Sequence, residues 1–321
     1  MPAGLSIVIP SHHRPDLLRL CLAAVVRHAP ADTEVVVVDD GSPDGVVSRT
    51  TAAFPGVRTV RLPRQRGFCA AANAGVRAAR YPIVELLNDD TEVTAGWATA
   101  ALVWFNDPTV AAVAPLVLRH SRSSASPVID SAGDRYHIGG VAGKRGHGKR
   151  LGPAYLRPRQ VFGASASSAF YRRDVFLRVG AFPEEFGAYF EDVDLAFRLN
   201  RAGYRTVFEP GSRVLHRVGA SHRPHRRLLE QQSRNEELVF WRNLPGRALL
   251  WALPLHLAVL AGKAWLRWGD GGLLPFVCGR LRVLGELPRL VRHRRRLRAL
   301  GSAADLRRWG VDIALHPSLD P

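Results

Sequence analysis

The sequence predicts an α/β fold on a mainly parallel sheet, with a helical appendage at its C-terminal end. Three observations carry that prediction. Apolar runs of strand length alternate with helical patterns through residues 5–118, the spacing of βαβ units. The runs at 34–38 and 82–88 are continuous rather than alternating, as strands buried on both faces are. Past about residue 222 the pattern changes to arginine-rich helices.

The elements follow in order. Residues 5–10 form a buried strand and 11–14 a loop. A helix over 16–28 carries its apolar face on Leu17, Leu18, Leu20, Cys21, Ala24 and Val25. The strand at 34–38 ends in Asp39-Asp40-Gly41-Ser42, and Asp44 can cap a helix reaching about residue 53. A strand at 57–62, an alanine-rich helix at 67–79 carrying Asn73, and the strand at 82–88 complete the first half. A helix at 95–106 and a strand at 110–118 follow. Residues 119–158 lack periodicity and are rich in Ser, Gly, Arg and His, which predicts a long loop, either a lid or a solvated segment. Residues 161–171 carry a run of small residues suited to a floor under a substrate, and 173–179 reads as a short helix. Two or three carboxylates then open an amphipathic helix near 191–199, and short strands at 204–208 and 213–215 lead to His216.

The chain has 321 residues, enough for one large or two ordinary domains, and a net charge of +17. A balance that basic points to nucleic acid, anionic lipid or phosphate-bearing substrates. No nucleic-acid motif is present and the charge concentrates outside the sheet, so a nucleic-acid partner is not expected. Lys occurs only at Lys144, Lys149 and Lys263. The cysteines Cys21, Cys69 and Cys278 are isolated in apolar surroundings, which predicts neither zinc nor disulfides and fits a reducing compartment. No signal peptide precedes the first strand, so the chemistry is expected in the cytoplasm.

Ligands in open α/β sheets collect at the carboxyl ends of the strands. Three such ends here carry polar groups, at 10–14, 39–42 and 88–90, which makes a crevice. Asn88 and Asp90, two apart on an extended segment, would point the same way and converge on one hard cation, Mg²⁺ or Mn²⁺. The same stretch also reads as a polar loop with Thr91 or Thr94 capping the next helix. Asp39 and Asp40 suit a base or ribose, or alternatively an Asp-Gly turn. The carboxylates near 191 suit a helix dipole, and one of them exposed in the crevice could act as a general base. His216 at a strand end could serve as a neutral imidazole ligand.

Five blocks in order resemble the family 2 glycosyltransferases of GT-A fold, especially their bacterial rhamnosyltransferase-like branch. They are Ser6-Ile7-Val8-Ile9-Pro10, Val38-Asp39-Asp40-Gly41-Ser42, Arg66-Gly67-Phe68 through Asn73-Ala74-Gly75, Leu87-Asn88-Asp89-Asp90-Thr91-Glu92-Val93, and Tyr189-Phe190-Glu191-Asp192-Val193-Asp194-Leu195 followed by His216. The resemblance implies that Asn88 and Asp90 stand at the outer positions of an Asp-x-Asp motif binding Mn²⁺ or Mg²⁺ and the donor diphosphate, with His216 completing that set. It implies that Asp39 and Asp40 hold the base and that Pro10, Ser11 and Arg14 line the nucleotide; Gly67, Asn73 and Asp89 also join the nucleotide-sugar site. His13 stands where the branch has Asn. Asp192 matches the catalytic base and Glu191 its partner. The implied reaction is a single, inverting displacement from a nucleotide-sugar, dTDP-rhamnose or a UDP- or GDP-hexose, to a hydroxyl of a cell-envelope or lipid-linked glycan. Processive members carry Gln-x-x-Arg-Trp; Gln231-Gln232-Ser233-Arg234-Asn235 has Asn in place of Trp, which predicts transfer of one sugar.

In the last third, residues 224–243 read as a basic helix. The apolar run 248–262, interrupted by Pro254 and His256, is shorter than the roughly 20 residues that span a bilayer. Trp251, Trp265 and Trp268 beside arginines fit an interfacial helix, and the cluster from Arg292 to Arg298 fits an anionic membrane surface. The alternative is a helical appendage packed on the catalytic part with a solvated basic face. The expected division is 1–222 for the catalytic domain, its nucleotide part about 1–118 and its acceptor part about 119–222, and 223–321 for the basic helical region. The expected location is peripheral, on the inner face of the plasma membrane. A nucleotidyltransferase is the other enzyme reading, but the first loop, Ser11-His12-His13-Arg14, lacks the glycines of its phosphate loop.

Overall fold

The computed structural model describes residues 4–121, 127–217, 225–301 and 306–314. The expected domain boundary at 222 lies outside the described residues.

The first half follows the βαβ pattern. In order come β1 (Leu5–Ser11), α1 (Pro15–His28), β2 (Thr33–Asp39), α2 (Val46–Ala52), β3 (Val57–Arg61), α3 (Phe68–Ala78) and β4 (Ile83–Leu87). Strands β3, β2, β1 and β4 lie side by side and parallel, with Ser11 of β1 in register with Asp39 of β2. The valine run explains itself on this sheet. Val36 and Val38 enter the core on one face, and Val35 and Val37 the core on the other. Helix α1 starts where Pro15 supplies a ready-made φ and Asp16 meets the positive end of the dipole. It buries Leu18, Cys21, Leu22 and Val25 on the second face. Helix α3 covers the first face and lies so close that a Cβ on Gly75 would stand 2.2 Å from Val8 Cγ1.

The sheet continues beyond β4 with β5 (Thr91–Val93), α4 (Trp97–Leu102) running into a 3₁₀ turn at Val103–Asn106, and β6 (Val110–Arg119). The ten-stranded sheet takes the order β10-β12-β6-β11-β4-β1-β2-β3, with β5 beside β12 and β7 beside β6. Strand β11 (Ser168–Arg172) is antiparallel to both its neighbours, whereas β6 and β12 (Arg205–His216) are parallel. The sheet is parallel over β3-β2-β1-β4 and over β6-β12, with antiparallel strands between and beside them and helices on both faces.

Several elements depart from the sequence expectation. The loop expected over 119–158 holds three short strands, β7 (Ile129–Ser131), β8 (Asp134–His137) and β9 (Val141–Lys144), and a 3₁₀ turn at Pro153–Tyr155; its residues 122–126 lie outside the described residues. β7 pairs with β6, while β8 and β9 form a hairpin. These strands are too short for periodicity to register, and they bury polar side chains that read as loop. β10 (Arg159–Val161) precedes the small-residue floor, and α5 (Arg173–Arg178) follows β11. Helix α6 (Glu191–Arg201) is the expected carboxylate helix. The two short strands expected after it are one strand, β12, which shifts register between Glu209 and Arg213, where Pro210 and Gly211 interrupt the pattern.

The last third comprises α7 (Arg226–Asn243), α8 (Gly246–Gly269), α9 (Leu273–Arg282), a 3₁₀ turn at Val283–Glu286, α10 (Leu287–Leu300) and β13 (Val311–Asp312), which pairs with β8. Leu238, Val239 and Phe240 of α7 belong to the same hydrophobic core as the sheet face under α3. Helix α8 runs unbroken through Pro254 for 24 residues, longer than the expected run. A proline removes one hydrogen bond but leaves the helix intact when neighbouring contacts hold it. Here His256 supplies them: it is buried, stacks on Phe240 at 3.7 Å, and bonds Gly139 O and Glu237.

Candidate active site

The crevice lies at the carboxyl ends of β1, β2 and β4. Chain reversal after β4 is a tight turn rather than an extended segment: Asn88 O accepts from Thr91 N at 3.2 Å and from Thr91 Oγ1 at 2.6 Å. This turn corrects the i, i+2 geometry expected for Asn88 and Asp90. The two residues that meet a common partner are Asp89 and Asp90. Arg14 lies 2.5 Å from Asp89 Oδ1 and 3.3 Å from Asp90 Oδ2. Ser11 Oγ donates to Asp89 Oδ2 at 2.7 Å. Burial pushes the Asp89 carboxyl up to about 6, against the pull of Arg14 and Ser11.

His216 reaches this turn because β12 pairs with β5, setting His216 opposite Thr91. Its Nε2 lies 3.2 Å from Asp90 Oδ1, and its Nδ1 lies 3.0 Å from Asp130 Oδ2. Burial alone would lower its pKa, but the bonds to Asp130 and Asp90 outweigh that and hold it up to about 9. Asp130 was missed by sequence reasoning because it sits in the stretch expected as loop. Its carboxyl is held well below the ordinary range; burial opposes this, but His216 and Lys144 prevail.

A divalent cation takes oxygen and imidazole donors. Among the described residues no three His, Cys, Asp or Glu side chains are grouped to hold a metal alone. Asn88 supplies what such a grouping lacks: its half-buried side chain makes no hydrogen bond among the described residues. Asn88, Asp90 and His216 bring two oxygen donors and, once a cation displaces the His216 Nε2 proton that faces Asp90, a ring nitrogen, donor types that suit a hard divalent cation.

Asp39 and Asp40 are engaged by the protein itself. Asp39 Oδ1 accepts from Ser42 N at 2.9 Å, and Arg61 Nε lies 3.6 Å from Oδ2. Asp40 accepts from Arg66 N at 2.7 Å and Gly67 N at 2.8 Å. Gly67 adopts φ +89 at the start of α3, and a Cβ there would press on Gly187 O at 3.1 Å. Asn73, expected at the nucleotide-sugar, instead clamps the chain before α6. Its Oδ1 accepts from Phe182 N at 2.9 Å and its Nδ2 donates to Phe182 O at 2.9 Å. Pro10 is buried in β1, one residue before Ser11.

The second half of the site is the start of α6. Tyr189 and Phe190 both have positive φ, +72 and +67, a strained entry that L side chains adopt only when their surroundings enforce it. Helix α7 does the enforcing. Gln231 Nε2 donates to Phe186 O and Ala188 O, and Asn235 Nδ2 to Phe186 O, Ala188 O and Tyr189 O, all at 2.8–3.0 Å. Asp192 Oδ2 accepts from Ala166 N at 3.0 Å, so the small-residue floor carries the proposed base. Burial pushes the Asp192 carboxyl up while the Ala166 and Val193 amides pull it down. Glu191 is 4% exposed, and burial and the Asp192 charge push it well up; its Oε2 has no hydrogen-bond partner among the described residues. Asp134 of β8, also missed from sequence, is buried beside them and raised by burial and by Asp192. Asp194 is structural: it bonds Arg198, Arg242 and Asn243.

The chain is similar to known glycosyltransferases. The sequence profile described as Glycosyl transferase family 2 matches residues 6–180. A pre-mycofactocin glycosyltransferase of Mycobacterium tuberculosis is 32% identical over 213 residues, 66% of this chain and 42% of that protein. An N-acetylglucosaminyl-diphospho-decaprenol L-rhamnosyltransferase of the same species is 30% identical over 228 residues, 63% of this chain and 72% of that protein. The chain spans from 26% to 42% of the length of two of the curated relatives it matches. The mannosyltransferase PcManGT from Pyrobaculum calidifontis, solved with GDP-Man and Mn²⁺, shares the fold at a TM-score of 0.58 and 20% identity, covering 88% of each chain. With its profile match over more than half its length and the carboxylate-bearing crevice in place, the chain belongs to glycosyltransferase family 2.

Proposed function

We propose that the chain transfers one sugar, with inversion, from a nucleotide-sugar to a hydroxyl of a cell-envelope or lipid-linked glycan, with Asp192 as general base. The observation that carries this reading is Asp192 itself: a carboxylate held at the mouth of α6 by the Ala166 amide and raised by burial toward the working range of a base. It takes the acceptor proton as the hydroxyl attacks the anomeric carbon, and one displacement inverts that centre. Glu191, pushed up by burial and by the Asp192 charge and with no hydrogen-bond partner on Oε2 among the described residues, stands beside it as the partner that helps position acceptor or base. Asn88, Asp90 and His216 would hold a divalent cation, Mn²⁺ or Mg²⁺, which neutralises the charge of the departing nucleoside diphosphate. Arg14, salt-bridged to Asp89 and Asp90, keeps those carboxylates in place at the turn. The relative named as an N-acetylglucosaminyl-diphospho-decaprenol L-rhamnosyltransferase supports a lipid-linked acceptor here.

A membrane-surface location is part of the proposal. Helix α8 is long and apolar enough to cross a bilayer, but Ala248, Ala252 and His256 are buried against the rest of the chain. That anchorage favours a helix lying in the interface. Trp265 and Trp268 are 81% and 75% exposed, and Arg292, Arg295, Arg296 and Arg298 are exposed on α10, the pairing of aromatic and cationic groups that an anionic surface attracts. The lipid-linked acceptor would be met there, on the cytoplasmic face.

The test is thermal stabilisation by UDP, dTDP and GDP with and without Mn²⁺, on the wild type and on Asp90→Ala. Metal-dependent stabilisation by one nucleotide, lost in Asp90→Ala, is expected and names the donor class. No stabilisation of the folded protein by any of them would overturn the reading.

A further inference from the structure

Three nitrogen-bearing side chains converge on Asp130, which is 1% exposed. Its Oδ2 accepts from His216 Nδ1 at 3.0 Å and from Lys144 Nζ at 2.9 Å. His147 Nδ1 lies 3.4 Å from Oδ1 and donates to the Asp130 carbonyl at 2.8 Å. The backbone around it is held as firmly. Strand β7 pairs with β6 on one side. On the other, Ile129 N bonds Lys149 O, Gly148 N bonds Ile129 O, and Ala132 N bonds Arg145 O, at 2.8–3.0 Å. A carboxylate fixed in this way leaves the His216 ring one orientation in which Nδ1–H stays bonded. In that orientation Nε2 points at Asp90 Oδ1, 3.2 Å away.

Histidines that ligate metals generally donate their second ring N–H to a carboxylate or carbonyl, which fixes tautomer and ring plane. We propose that Asp130 is a positioning residue for a divalent-cation site: it holds His216 with Nε2 turned toward Asp90, and Lys144 neutralises the Asp130 charge so that this carboxylate supports the ligand without competing for the cation. The inference rests on the reading of Asn88, Asp90 and His216 as cation-holding groups. Its origin is tertiary, since Asp130, Lys144 and His216 come from β7, β9 and β12, and β7 and β12 come together only as strands on either side of β6.

The experiment measures binding of Mn²⁺ alone, by paramagnetic titration of the free ion, to the full chain as wild type, Asp130→Ala, Asp130→Asn and Asp90→Ala. Near-ultraviolet circular dichroism and the melting temperature establish that each variant is folded. Asp130→Ala is expected to bind Mn²⁺ about 10–100-fold more weakly. Asp130→Asn keeps an oxygen for His216 Nδ1–H and is expected at the lower end of that range; it carries the comparison if the alanine variant does not fold. A purely structural role would lower the melting temperature and leave the affinity of the folded protein unchanged. Folded Asp130 variants that bind Mn²⁺ like the wild type, while Asp90→Ala does not, overturn the positioning role and leave the cation reading standing. Absence of Mn²⁺ binding by the wild type overturns the cation reading and this inference with it.

Discussion

Asn235, in the last third of the chain, donates its side-chain amide to the carbonyl of Tyr189 at 3.0 Å, and so reaches the residue that leads into the proposed base helix. The same amide also serves Phe186 O and Ala188 O. Tyr189 and Phe190 are held at positive φ immediately before Glu191 and Asp192. The strain at the mouth of α6 is thus sustained from α7. Removing the donor takes one hydrogen bond from each of the three carbonyls, while Gln231 still serves Phe186 O and Ala188 O. Asn235→Ala should lower kcat by about tenfold to a hundredfold through displacement of Asp192, with Mn²⁺ affinity unchanged. Steady-state kinetics beside a Mn²⁺ titration checks this; unchanged kcat in folded protein would remove α7 from the mechanism.

Asp194 lies at the centre of a buried ionic cluster joining α6 to α7. Arg198 approaches its Oδ2 at 2.8 Å, and Arg242 approaches its Oδ1 at 3.1 Å. The carboxyl is fully buried, yet the two guanidinium groups hold it well below its ordinary range. Asp194→Ala strands both cations and should destabilise the fold by roughly 3–5 kcal/mol. Urea denaturation measures it. A loss under about 1 kcal/mol would mean that water or other carboxylates replace Asp194 readily.

Glu85 sits in the middle of β4 with no exposure, accepting from Trp97 Nε1 and from Ser168 Oγ at 2.9 Å. Burial pushes its carboxyl up to about 8 from an ordinary 4.5, outweighing those two donors. An acid that titrates higher when folded stabilises the fold while protonated. That contribution is complete below about pH 4.5 and is lost as pH rises through about 8. The loss has a limiting slope of about 1.4 kcal/mol per pH unit. Glu85→Gln should therefore flatten the fall in stability between those two pH values relative to the wild type. Parallel fall in both proteins would show that Glu85 is already ionised in the fold.

The exposed tryptophans of α8 should carry membrane contact, with the arginines of α10 adding a salt-dependent share. Trp265→Ser with Trp268→Ser is expected to reduce sedimentation with phosphatidylglycerol vesicles at low and high salt alike. Loss of Arg292, Arg295 and Arg296 should reduce it at low salt alone. Both variants should keep activity on a water-soluble acceptor. Vesicle binding that is indifferent to both sets would assign these side chains to another surface.

Much of the fold was legible because its signals are local. Continuous valine and leucine runs mark strands buried on both faces, and β1 to β4 stand within two residues of expectation. The short strands β7, β8 and β9 were not legible, since Asp130, Asp134, His137 and Lys144 read as loop until their partners are known. The same holds at the site. His216 and Asp90 could be named from the chain, but not the 3.2 Å between them, which depends on β12 pairing with β5. Asn73 misled because an asparagine beside a crevice resembles a ligand; its amide is taken by the Phe182 backbone.

What the sequence determined by itself is the order of strands and helices and the kinds of side chain at the strand ends: periodicity and residue chemistry are properties of neighbours along the chain. The tertiary structure decided which of those side chains the protein engages itself. Asp39 and Asp40 turn to backbone amides, whereas the Asn88 amide makes no hydrogen bond among the described residues and Asp192 rests on the Ala166 amide. Such choices depend on hydrogen-bond partners tens of residues away, and a buried polar group takes whichever partner the packed chain brings within reach.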